Sequence, residues 1–148
     1  MAKKLVKFFL RISLGAGFLS ASADRFGWWP KEYSAWGDWD SFLVYTSHLL
    51  SWIPDNTIPI LGFAATLLEV VLGIFLIAGF KLKPTSWISG GLLLIFALSM
   101  TFADSIKSPL DASVFTASAA AFSIPFIKES FLEMDYLIGK NKKYKRRK

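Results

Sequence analysis

The chain has 148 residues, 53% of them hydrophobic, and a formal net charge of +6. That length suits one domain. Cysteine is absent and His48 is the one histidine, which excludes disulfides, thiol chemistry, iron–sulfur clusters, bis-histidine haem and a histidine-rich metal site within one chain. No metal ligand set is assigned. The basic residues gather at the two ends and in one short turn instead of covering a face, so the charge argues against nucleic acid and for a lipid bilayer as partner.

A membrane helix needs about 20 predominantly apolar residues. The first such stretch runs from Leu5 to Arg25, after Lys3, Lys4 and Lys7. A cleaved leader is the rival reading, with Ala21-Ser22-Ala23 as its small-residue motif. Arg11 interrupts the apolar run and cleavage would leave three spans, so the stretch is read as a retained first span. Gly15 and Gly17 allow another backbone to approach. The connection from Phe26 to Asn56 holds Trp28, Trp29, Trp36, Trp39 and Trp52 with Tyr33 and Tyr45, ring types that favour the headgroup level. Within it Phe42, Tyr45, Leu49 and Trp52 recur at three- and four-residue steps. The reading is an aromatic-rich outer loop or an interfacial helix between the first two spans.

The second span, Thr57 to Phe80, is strongly apolar but contains Glu69 near its middle. A carboxylate at that depth costs a few kcal/mol unless it faces the bundle interior, pairs or is protonated. Gly62, Thr66, Glu69 and Gly73 share one helical face, which points the acid inward. Arg11 is its expected partner, with snorkelling of Arg11 to the cytoplasmic headgroups as the rival reading. Two roles stay open: a proton-handling or ligand-anchoring acid, or a buried pair that sets helix register. A basic turn with Lys81 and Lys83 leads to the third span, Thr85 to Ala103. The fourth, Ala112 to Ile127, is short, rich in Ala and Ser, and contains Pro125. Residues 139–148 form a basic tail. With four spans, every basic cluster falls on one side and most acids on the other, so the positive-inside rule gives N-in and C-in. The fold class is therefore all-α: an integral membrane four-helix bundle over residues 1–138. That topology brings Asp24, Arg25, Trp28 and Asp104 to one outer level, with Trp29, His48 and Asp111. These are candidates for a mouth that binds a head group, or for ordinary charged helix ends and an aromatic belt.

The runs LRISLGAGFLSASADRFG at Leu10–Gly27 and LLEVVLGIFLIAGF at Leu67–Phe80 resemble the DoxX family of small bacterial membrane proteins. The family pattern is Arg-x-x-x-Gly in the first helix and Glu-x-x-x-Gly in the second, followed by a short basic turn. Here these are Arg11 with Gly15, and Glu69 with Gly73, before Lys81 and Lys83. The resemblance covers Leu5 to Ala121. It implies a multi-pass protein of the bacterial inner membrane, similar to the DoxD subunit of thiosulfate:quinone oxidoreductase.

Two expectations follow. In the first, the chain is a membrane subunit that binds quinone or a similar lipid-soluble molecule, with Glu69 and Arg11 as the proton or ligand pair. In the second, it is a non-catalytic scaffold held in register by those two residues. Without a metal centre or nucleotide motif, any oxidoreductase activity requires a soluble or membrane redox partner. A homo-oligomer is compatible with either.

Overall fold

The computed structural model describes residues 1–136 and 138, all of them in helices, turns and irregular chain; the basic tail over 139–148 lies outside the described residues. Helix α1 spans Ala2–Arg25. The aromatic connection contains α2, Trp39–Leu49, started by Asp38, whose carboxylate accepts from the Ser41 N–H at 2.7 Å. That N-cap bond satisfies one orphan donor of the first turn and holds the Asp38 carboxyl below its ordinary range. A 3₁₀ turn over Asp55–Thr57 leads into α3, Ile58–Ala78, whose Pro59 sits in the first turn where its missing N–H is harmless. Gly79, at φ 68°, ends α3 in the left-handed conformation. Helix α4, Leu82–Ala103, follows at once. A short α5, Lys107–Asp111, turns the chain into α6, Val114–Ser123.

Three segments, Ala2–Arg25, Asp55–Ala78 and Leu82–Ala103, are long and apolar enough to cross a membrane. Each turns large apolar side chains outward: Phe9 on α1, Ile60, Phe63 and Ile74 on α3, Ile88 and Ile95 on α4 are all exposed. Apolar exposure on every long helix is what a lipid surround demands and water would penalise.

The fourth expected span differs from its sequence reading. Helix α6 has 10 residues, about 15 Å of rise, roughly half of a hydrocarbon core. A 3₁₀ turn, Ile124–Phe126, carries Pro125, and Ile127 is extended. Proline withholds the N–H the helix would need and closes it down. The chain then runs without helix past Phe131 and Leu132 before Glu133. That run ends beside the N-terminus of α1. Lys7 Nζ lies 3.0 Å from Glu133 Oε1, and Asp135 accepts from the Lys81 and Leu82 N–H groups, each at 2.8 Å. Asp135 thus supplies the cap that α4's own N-cap side chain does not provide.

Helices pair as α1 with α3 and α4 with α6, while α3 meets α4 less closely. The first pair closes through glycine. A Cβ on Gly15 would stand 2.8 Å from the Gly73 carbonyl oxygen and 2.6 Å from Ile77 Cγ1. Gly17, expected at the same contact, has open space beside it. Gly15→Ala is therefore expected to cost about 1–3 kcal/mol by overpacking, and Gly17→Ala to be near neutral in thermal melts in detergent. Equal melts for the two variants would contradict this contact. In the second pair, Ser118 Oγ donates to the Gly90 carbonyl at 2.8 Å. Phe18, Leu72, Leu76, Leu82 and Ile124 form the small core between the pairs.

Candidate functional site

The looser contact between the two helix pairs leaves a cavity of about 670 Å³. Leu14 and Phe18 of α1, Leu61 and Leu68 of α3, and Leu92 and Phe96 of α4 make much of its wall. Exposed wall residues, among them Gly17, Ala64, Leu68 and Ile95, open it sideways on the apolar exterior. Helix α2 roofs one end, with Phe42, Tyr45 and Leu49 directed into the cavity. The connection 26–56 therefore folds back over the helix ends. Its amphipathic pattern was legible, but Trp52 lies beyond the helix and is exposed.

Under that roof sit the two charged residues of the wall, Arg25 and Glu69. Arg25 Nη2 donates to Glu69 Oε1 at 2.9 Å, and Arg25 Nη1 to Thr66 Oγ1 at 2.6 Å. Thr66 passes the bond on to the Gly62 carbonyl at 2.8 Å. The Arg25 and Glu69 side chains are 4% and 1% exposed, too little for water to satisfy them. The guanidinium carbon also lies 4.1 Å from the centre of the Phe42 ring and 5.3 Å from that of Trp36. A guanidinium on aromatic faces gains from the ring quadrupole when desolvated. One side chain thus ties α1 to α3 and to the roof. The inward stripe read from the sequence is present, with Gly62, Thr66, Glu69 and Gly73 all buried.

The partner of Glu69 is not Arg11. Arg11 lies about four helical turns from Arg25 along α1, at the other end of the molecule, and is fully buried there. Its Nε donates to the Leu76 carbonyl at 3.0 Å and Nη2 to Ile77 at 2.9 Å. Nη1 donates to Phe131 and Nη2 also to Leu132, each at 3.0 Å. Glu133 Oε1 stands 3.7 Å from Nη1. The guanidinium satisfies carbonyls left over at the end of α3 and along the irregular run before Glu133. Buried irregular backbone requires such a donor. Hydropathy alone could not reveal this, because α6 reads as a longer helix than it is.

Of the four residues expected at the outer mouth, Arg25 alone lines the cavity. Asp24 is buried, and its carboxylate is occupied by Ser34 Oγ and by the Ala35 and Trp36 N–H groups at 2.9 and 3.0 Å. That clamp folds the loop so that Trp36 reaches Arg25. Trp28 is exposed and packs beside Phe26. Asp104 accepts His48 Nε2 at 2.7 Å, tying α2 to the end of α4 on the exposed side. Burial, with the Asp104 charge, pushes the Tyr45 phenol up, so it stands at the wall as a neutral hydroxyl. Trp36, Phe42 and Tyr45 carried an interfacial signal in the sequence; their convergence on Arg25 did not.

Among family models, characterised proteins and solved structures, none matches this chain.

Proposed function

We propose that the chain is a DoxX-like membrane subunit of a redox complex, and that its cavity binds a quinone or similar lipid-soluble molecule. The observation that carries this reading is a buried Arg25–Glu69 pair set in the wall of an otherwise apolar cavity that opens sideways on the apolar exterior. A volume of about 670 Å³ lies within the roughly 300–1,000 Å³ of small-molecule sites. A ligand with a long apolar tail can enter through the lipid-facing opening and bring its polar head to the pair. Arg25 and Glu69 then fill the roles expected of Arg11 and Glu69: they orient the head and supply a hydrogen-bond donor and acceptor in a dry site. The chemistry itself needs a partner subunit that exchanges electrons.

The same reading gives the chain four crossings in a bacterial inner membrane, N-in and C-in. The fourth crossing uses α6, its 3₁₀ turn and the extended run to Glu133. Support comes from the meeting of Lys7, the basic turn at Lys81 and residues 133–135 at one end, and from the positive-inside rule. A second reading, a scaffold without ligand, is favoured by the number of elements Arg25 ties together. The test is extraction. Protein purified in mild detergent is expected to release near-stoichiometric quinone, in either oxidation state, by chromatography with redox-difference absorbance, and Glu69→Gln protein to release little. A wild-type protein free of quinone would overturn the proposal and leave the scaffold.

A further inference from the structure

An arginine–carboxylate pair normally closes as a fork, with two N–H groups on two oxygens. Here the fork is split. Nη2 takes Glu69 Oε1 and Nη1 takes Thr66, so Arg25 Nε and Glu69 Oε2 are both buried without a hydrogen-bond partner. One is a donor and the other, in an ion pair, an acceptor. Leaving either unmatched in a dry site is costly. Both belong to residues of the cavity wall but are themselves buried, so a head group reaches them by displacing part of the wall beside them, which is aromatic, with Trp36, Phe42 and Tyr45.

We infer that the cavity selects a hydrophobic molecule whose planar head carries a hydroxyl, an alkylphenol or hydroquinone, over the corresponding quinone or ether. This rests on the ligand reading above and adds the hydrogen-bonding state of the head. A phenolic O–H donates to Glu69 Oε2 while its oxygen accepts from Arg25 Nε, so one group answers both orphans. A quinone carbonyl only accepts. It satisfies Arg25 Nε and leaves the carboxylate oxygen unmatched, facing another acceptor. The aromatic wall suits a flat ring, and the leucine-lined remainder suits an alkyl or prenyl tail.

The test is a binding titration on the full chain in detergent, read by tryptophan fluorescence, since Trp36 lines the cavity. The probes are a short-chain benzoquinol kept reduced, its benzoquinone, a 4-alkylphenol and the methyl ether of that phenol. The expected result is that quinol and phenol each bind about tenfold more tightly than the quinone and the ether, the size of one unmatched buried polar group. In Glu69→Gln, which removes the carboxylate oxygen that the hydroxyl meets, quinol is expected to weaken to no better than the quinone, so the preference falls to near unity. The phenol–ether comparison needs only wild-type protein, so a variant that fails to fold does not spoil it. Equal binding of quinol and quinone, with the ether as good as the phenol, would overturn the hydroxyl selectivity while keeping a quinone site. Binding of the phenol but of neither quinol nor quinone keeps the selectivity and removes the quinone reading. Binding of none of the probes overturns both.

Discussion

Replacing Arg11 by leucine is expected to lower stability by about 3–5 kcal/mol. The guanidinium makes four backbone contacts, to Leu76, Ile77, Phe131 and Leu132, and also faces Glu133. Leucine removes every donor at once. The buried carbonyls at the end of α3 and in the irregular run then lose the donor that satisfied them. Glu133 keeps Lys7 alone. Lysine is expected to rescue less than half of the loss, because one ammonium cannot span the carbonyls that a planar fork reaches. Unfolding in mixed detergent measures the total. Hydrogen exchange should show the loss first around Phe131 and Leu132, whose carbonyls Arg11 holds. A wild-type melt for the leucine variant would contradict the clamp.

The second large effect concerns Arg25 and Glu69, and it separates the two functional readings. Glu69→Leu leaves a buried guanidinium with Thr66 as its one remaining hydrogen-bonded side-chain partner, at an expected cost of about 3–5 kcal/mol. Arg25→Met leaves a buried carboxylate and should cost a similar amount. The double variant carries no buried charge here, and well-packed apolar replacements of a buried pair are often neutral. It is expected to recover most of the stability of either single change. The same double variant is expected to lose quinone in the extraction assay, since the head has nothing left to bond. Recovered stability with ligand lost is the signature of a binding site. If the double variant is stable and still retains ligand, the pair does not anchor it; if neither wild type nor variant carries ligand, the scaffold reading stands. Additive losses in the cycle would show that the two groups do not interact.

Much of the architecture was open to inspection in one dimension. Apolar runs of about 20 residues must form helices in lipid, since every backbone group has to be satisfied within its own segment, and three of the four expected spans are such helices. The face Gly62–Thr66–Glu69–Gly73 and the pattern of α2 follow from helical periodicity. Arg11 with Gly15, and Glu69 with Gly73, are buried at close helix contacts.

Pairing was the part that sequence could not decide. Arg11 and Arg25 lie on the same helix, both able to meet an acid on the next, and spacing cannot tell which one stands at the depth of Glu69. That depends on how far α1 slides along α3, and the slide is set where the Gly15 and Gly73 backbones touch. Nor could hydropathy show that Pro125 ends the fourth helix early, leaving carbonyls that claim Arg11. What the sequence by itself determined is helical content, apolar exterior and the inward direction of Glu69, because these follow from local propensity and solvent. Only the tertiary structure decided which charge meets which, and that Trp36 and Phe42 fold onto Arg25 over a cavity, because register and depth are properties of packed helices and not of any one of them.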